Sequence, residues 1–258
     1  MTRRMLCAMA LAALITAPLG ADVTITSTTD GKGFGMAAGG EAVTYIKGAR
    51  MRADAKIGDS PSSTIIDLDK QQFISLNHKK RQAEITDMAA LHAELDKIAA
   101  SDISVKMTPT GQTKQIGGQS CDGHAMEVRV PMAVGDDQMT IVMAGPVWIA
   151  RNSPGKADYA AFYKVAADKG LFFTDPKLAK AQPGNAKGMA SLYKAIADAG
   201  VAYETTITVT FEGGGMLGGM MSKMGGSSIT TTVTKVSTDA VSDELFAIPA
   251  DYKTKTNK

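Results

Sequence analysis

Apolar and polar residues alternate along most of this chain, and the period is two. Residues 51–57 read Met-Arg-Ala-Asp-Ala-Lys-Ile, with every odd position apolar. Residues 103–107 (Ile-Ser-Val-Lys-Met) and 126–130 (Met-Glu-Val-Arg-Val) repeat the pattern. Met139, Ile141 and Met143 share one face of a further stretch, which Val147 and Ile149 continue. Tyr203, Ile207, Val209 and Phe211 oppose Glu204, Thr206, Thr208 and Thr210. Successive side chains of a strand point to opposite faces of its sheet, so this pattern predicts half-buried strands. The Ser/Thr/Val-rich stretch 227–236 suits a solvated sheet face. Further strands are predicted over 43–47, 63–68, 71–76 and 81–87. The breaks at Gly48, Asp69-Lys70 and Asn77-His78-Lys79-Lys80 are short enough for antiparallel hairpins and too short for βαβ crossovers.

Three segments carry a helical period instead. Met88 to Ala100 places Leu91, Leu95 and Ile98 on one stripe, with Asp87 as N-cap. Asp158 to Gly170 follows Pro154-Gly155 and carries Phe162, Val165 and Ala166. Residues 186–199 carry Met189, Leu192 and Ile196 and end before Gly200. The expected architecture is a single α+β domain over 22–258. In it a curved antiparallel sheet, a half-barrel of about eight to eleven strands, wraps around about three helices. Such a sheet encloses an apolar cavity. Its expected lining is Met51, Ala53, Ile57, Ile103, Val105, Met139, Ile141 and Met143. The stretches Gly31–Gly40 and Gly213–Gly226 are too glycine-rich for regular structure and are predicted to be mobile loops. The second of these adds Met216, Leu217 and Met220 to the expected cavity.

The first residues change the setting. Arg3 and Arg4 precede an unbroken apolar run from Met5 to Ile15, followed by Pro18, Gly20 and Ala21. A basic start, a short apolar core and small residues at the end make residues 1–21 a secretory signal peptide. The run is too short for a membrane span. Cleavage is expected near Ala21–Asp22, which places the mature protein in a bacterial periplasm. Loss of Arg3 and Arg4 leaves 26 basic residues against 26 acidic ones. That balance argues against nucleic acid as a partner. Cys7 leaves with the leader, so Cys121 stands alone and forms no intramolecular disulfide. Arg4-Met5-Leu6 before Cys7 is the wrong context for lipidation.

Candidate chemistry is sparse. The histidines are His78, His92 and His124. Cys121 and His124 are three apart, which on a strand puts them on opposite faces and prevents a nucleophile–base contact. Asp67-Leu68-Asp69 lacks the residues that follow in a phosphoaspartate motif, and Asp69-Lys70 reads as a turn. Asp136-Asp137 also reads as a turn and fits no calcium loop. Gly-Lys-Gly-Phe-Gly at 31–35 is not a dinucleotide fingerprint, because no helical pattern follows it. The basic turn 78–81 reads as a solvated hairpin tip. No catalytic residues and no cofactor are expected. Met216, Met220, Met221 and Met224 offer thioethers that select Cu(I), which is one alternative function. Methionine is equally the adaptable residue of apolar binding surfaces, and a plain linker between strands accounts for the segment as well.

Several spaced segments together resemble a known family. They are Tyr45-Ile46-Lys47-Gly48 with Met51-Arg52, then Thr64-Ile65-Ile66-Asp67-Leu68-Asp69, then Val147-Trp148-Ile149-Ala150 before Ser153-Pro154-Gly155. The ending Leu245-Phe246-Ala247-Ile248-Pro249-Ala250-Asp251-Tyr252-Lys253 completes the set. The chain resembles the exported bacterial family called domain of unknown function 4412, similar in fold to LolA/LppX-type lipoprotein and lipid carriers. The usual ending has Gly where Asp251 stands. The resemblance implies a half-barrel around helices with an apolar cavity, and it implies no catalytic residue. The expected function is therefore non-catalytic binding or carriage of an apolar, acyl-chain-like ligand by a monomer. Transient contact with the envelope membrane or a lipoprotein is the partner interaction this implies. Metal handling through the methionine segment and a structural or envelope-stress role without a ligand are the alternatives.

Overall fold

The computed structural model describes residues 22–33, 36–57, 60–89, 103–134, 137–169, 183–213 and 226–257. Among these residues twelve strands form one sheet. In chain order they are β1 (Val23–Gly33), β2 (Met36–Lys47), β3 (Arg50–Ile57), β4 (Ser60–Asp67), β5 (Gln72–Asn77) and β6 (Gln82–Asp87). There follow β7 (Ser104–Ile116), β8 (Gln119–Val134), β9 (Asp137–Ala150), β10 (Val201–Gly213), β11 (Ser227–Ser237) and β12 (Lys253–Asn257). Among the described residues two helices, α1 (Lys156–Asp168) and α2 (Pro183–Ala199), lie between β9 and β10. The spatial order is β12-β6-β5-β4-β3-β2-β1-β11-β10-β9-β8-β7. Two meanders, β1 to β6 and β7 to β11, are therefore joined where β1 pairs with β11. Every pairing is antiparallel except that of β12, which runs parallel to β6.

This corrects the expected fold class. Strand accounts for 63% and helix for 18% of the structure. It is a large mixed sheet carrying two described helices, not an α+β half-barrel of eight to eleven strands wrapped around three. The reasons are local. The Val23-Thr-Ile25-Thr alternation adds β1, and the polar stretch after Met107 extends β7 to Ile116. The last residues turn back to make the parallel edge. The helix expected over Met88–Ala100 lies, beyond Ala89, outside the described residues. The expected loop at Gly31–Gly40 is also corrected. Its residues end β1 and begin β2, with Gly31 opposite Ala38 and Gly33 opposite Met36. Ladder hydrogen bonds need only backbone, so glycines in register still pair.

Helix α2 lies across β7, β8 and β10. Leu192 and Ile196 pack on Met126, Val128, Val130, Ile141, Met143, Val147 and Ile149. Gly184 and Gly188 make that approach possible. A Cβ at either would stand 2.8 Å from a Val130 or Val128 methyl, so any side chain there would push the helix off the sheet. Helix α1 contributes Tyr159, Phe162, Tyr163 and Ala166 to a second cluster with Val23, Ile46, Met51, Ile66 and Phe73. It begins after Gly155, whose φ of 68° glycine tolerates best. The other face of β4 to β6 is also covered. Val241, Leu245, Phe246, Ile248 and Tyr252 pack on Ile65, Ile74, Leu76 and Ala83. Neighbouring residues such as Ile65 and Ile66 are thus both buried, which hides strict alternation in this stretch.

Candidate functional site: the helix-bearing face

Register identifies which residues share the face that carries the helices. Ile46 stands opposite Met51, both beneath α1. Two and four residues along the same strands, Thr44 faces Ala53 and Ala42 faces Ala55. Across β1, Ser27 faces Ala42 and Thr29 faces Gly40. On the other side, Thr29 faces Thr231 and Gly31 faces Ile229. Ile229 in turn faces Ile207. The result is a field of small side chains, Thr29, Gly40, Ala42, Ala53 and Ala55, bordered by Ile207, Val209, Phe211 and Ile229. The alanines and Ile207, Val209 and Phe211 are half-buried. Ile229 is 43% exposed, one of two large apolar side chains among the described residues that reach such exposure.

The expected cavity lining divides into separate groups. Ala53 lies in the small-residue field. Met51 is buried beneath α1, where the Tyr163 hydroxyl reaches its sulfur at 3.8 Å. Ile103, Val105, Ile141 and Met143 gather beneath α2. Met139 is buried at the rim of an open hollow of 420 Å³, together with Pro131, Gln138, Thr140, Glu212 and Gly213. Ile57 closes β3, and its side chain is outside the described residues. Met216, Leu217, Met220, Met221 and Met224 are also outside them, between Gly213 at the end of β10 and Gly226. Reading one parity along each strand places Met51, Ile103, Val105, Ile141 and Met143 on the helix-bearing face. It did not distinguish those beneath a helix from those beside it. Ala55 lies on the apolar side of the 51–57 alternation without being counted in the lining, and Ala42 and Thr29 fall in stretches where no alternation is read.

The opposite face of β3 carries the densest polar network. Arg52 donates to Asp54 Oδ1 at 2.6 Å, to the Leu245 carbonyl at 2.7 Å and to Ser63 Oγ at 3.2 Å. Ser63, 2% exposed, donates to Asp54 Oδ1 at 2.5 Å. His78 Nε2 lies 2.7 Å from Ser63 Oγ, and Nδ1 lies 2.6 Å from the Tyr252 hydroxyl. With the Ser63 proton directed to Asp54, Nε2 must donate to Ser63 and Nδ1 is left to accept from Tyr252. An imidazole protonated on Nε2 cannot take the serine proton, so this is no nucleophile–base pair. The group instead fastens the C-terminal segment to the sheet. Sequence reading had assigned His78 only to a basic turn.

The remaining candidates are structural. Cys121 is fully buried, and its thiol reaches the Gln119 carbonyl at 3.6 Å. Burial, then the nearby Asp122 and Glu204 charges, push that thiol's pKa up, which disfavours the reactive thiolate. His124, on the other face of β8, is 3.2 Å from the Asp122 carbonyl. Asp67 Oδ1 accepts from the backbone of Asp69 and Lys70, which makes the expected turn. The conspicuous Ser153-Pro154-Gly155 corner holds β9 to β10 through Ser153 Oγ and the Tyr203 hydroxyl, 3.0 Å apart. Among the described residues no group of three or more His, Cys, Asp or Glu side chains is placed to hold a metal. No described helix is long and apolar enough to cross a membrane.

No family model matches the chain, and no curated protein matches it. Among solved structures it is similar to an uncharacterized conserved protein from Thermus thermophilus. The TM-score is 0.41 and the identity 9%, over 93% of this chain and 92% of that one. Two crystal forms of PNGF-II give TM-scores of 0.35 and 0.36 at 10% identity. The likeness covers 91% and 92% of this chain but only 31% and 32% of PNGF-II. Likeness at this level assigns neither a family nor an activity.

Proposed function

We propose that this protein binds an apolar, acyl-chain-like ligand on the helix-bearing face of its sheet, in the periplasm after export on residues 1–21. The observation that carries the reading is the field of Thr29, Gly40, Ala42, Ala53 and Ala55, edged by Ile207, Val209, Phe211 and Ile229. Small side chains leave depth that larger ones would fill, and the bordering aliphatic and aromatic groups supply apolar contact. Binding of this kind is driven by apolar surface leaving water and rests on shape, with few polar groups. It needs no acid, base or nucleophile. The resemblance to an exported family related to lipid carriers agrees with it.

A fluorescent fatty-acid probe tests the proposal after the purified protein has been stripped of lipid by denaturation and refolding. Wild type should bind the probe. Ala53→Trp and Ala55→Trp fill the field and should weaken binding about tenfold or more, equivalent to about 1.4 kcal/mol. Their melting temperatures should stay within about 3 °C of wild type, the shift that roughly 1 kcal/mol produces in a chain of this size. Absence of probe binding in wild type, or undiminished binding in both variants, would overturn the reading.

A further inference from the structure

The edge of the sheet at β12 carries a second kind of site. Parallel pairing sets Lys253 beside Gln82 and Lys255 beside Glu84. With Lys80 from the β5–β6 turn, these lysines line a groove of 310 Å³ whose other walls are Ser75, Asn77, Gln82, Ala83, Glu84 and Thr254. Three cations thus meet one carboxylate, and that carboxylate already accepts from the Asn257 amide. Lys80, Lys253 and Lys255 form no ion pair among the described residues, whereas neighbouring Arg81 pairs with Asp251 and Lys70 with Asp67. Asn77 uses its side-chain carbonyl to accept from the Lys80 backbone at 3.0 Å, which leaves its amide hydrogens available. Ser75 and Gln82 add further hydrogen-bonding groups on the same face.

Edge strands often carry lysine simply to deter pairing with another chain. The opposite edge shows what that alone requires. Strand β7 has Pro109 and Gly111 along its length, its Lys114 is paired with Glu204 at 2.8 Å, and its one cation without an ion pair among the described residues, Lys106, stands alone and not in a cluster. Unpaired cations converging on a groove with amide and hydroxyl donors go beyond that need. We propose that this groove binds the phosphate of a phosphoester ligand. Ammonium groups act as compact point charges toward phosphate, and charge-assisted hydrogen bonds are the strong ones. The phosphate source is either a soluble ester or a lipid headgroup. The groove opens on the same face as Ala53, because Ser75 stands opposite Thr64 and Thr64 opposite Ala53. Two strand spacings, about 10 Å, separate Ser75 from Ala53.

The test uses two probes, glycerol 3-phosphate in calorimetry and phosphatidylglycerol-in-phosphatidylcholine vesicles in a flotation assay. Wild type should bind at least one of them, more weakly as salt rises. The triple variant Lys80→Ala/Lys253→Ala/Lys255→Ala should lose about tenfold or more in affinity for whichever binds. A control variant, Lys106→Ala/Lys156→Ala/Lys235→Ala, removes equal charge elsewhere and should bind as wild type does. Binding of glycerol 3-phosphate identifies a soluble ester as sufficient; binding of vesicles alone identifies the lipid headgroup. No binding of either probe, or equal losses in the two triple variants, would overturn the proposal. The fatty-acid probe should bind the groove variant normally, so failure here is separable from failure of the apolar reading.

Discussion

Strand β3 faces two different environments through alternate residues. Outward, Arg52 and Asp54 are long, charged and held by Ser63, His78, Tyr252 and the Leu245 carbonyl. Inward, Met51 packs beneath α1, then Ala53 and Ala55 leave the surface low and half-buried. The side rich in chemical groups is locked into architecture. The side with almost no chemical groups is the one whose side chains are short. In this molecule a search for reactive residues therefore leads away from the surface proposed to bind.

The comparison can be broken by experiment, and alkaline pH gives the largest expected effect. Burial pushes the Tyr159, Tyr163 and Tyr193 phenols above the ordinary tyrosine value. The folded state then holds these protons more tightly than the unfolded one. The stability tied to them is fully present below about pH 10 and is lost as pH rises beyond it. Near-ultraviolet absorbance should show these phenols ionising only together with unfolding. Titration before unfolding would mean that the helix contacts open while the sheet stays folded.

Ile141→Asp should follow, at about 3–5 kcal/mol, because it places a charge among Leu192, Ile196 and Met143. Urea melts measure it, and an unchanged midpoint would contradict the packing of α2. Arg52→Ala should cost about 2 kcal/mol, less than a fully buried pair because Asp54 is partly exposed. A double-mutant cycle with Asp54→Asn isolates the coupling. Tyr252→Phe should cost about 1 kcal/mol by removing one hydrogen bond to His78. The smallest effect belongs to Ala55→Ser, within about 0.5 kcal/mol, since the position is half-buried and the change adds one atom. A loss comparable to that of Arg52→Ala would show that the field is core, not surface.

The sequence shows much of the sheet plainly where one face is wet. The alternations at 51–57, 126–130 and 203–211 fall in β3, β8 and β10, and the hairpin breaks at Gly48, Asp69-Lys70 and 77–80 separate the strands seen. Helices α1 and α2 lie within three residues of their expected starts. What stayed hidden depends on distant partners. Strand β1 contains many threonines and draws its order from β2 and β11. The pairing of β12 with β6 joins segments far apart in the chain, and no local pattern announces it. Lys253 and Lys255 therefore gave no hint of meeting Lys80. The polar network was equally illegible, because Arg52, Ser63, His78 and Tyr252 come from four separate segments. Ser153-Pro154-Gly155 and the 245–253 ending stood out as motifs, and both prove to be corners and clasps.

The seam between β1 and β11 has a consequence for how the chain reaches this state. Thr29 and Thr231 meet across it, 202 positions apart. The β1–β6 meander is built from neighbouring hairpins and can form quickly, whereas β9 and β10 close across the helical segment between them. The seam must wait for nearly the whole chain, and such distant closure slows folding. Until then β1 and β11 each present a bare edge rich in threonine, the kind of edge that invites strands from other molecules. The hazardous interval for this protein is thus late in folding. A shorter chain ending before β11 would keep one edge open permanently and should aggregate as it is made.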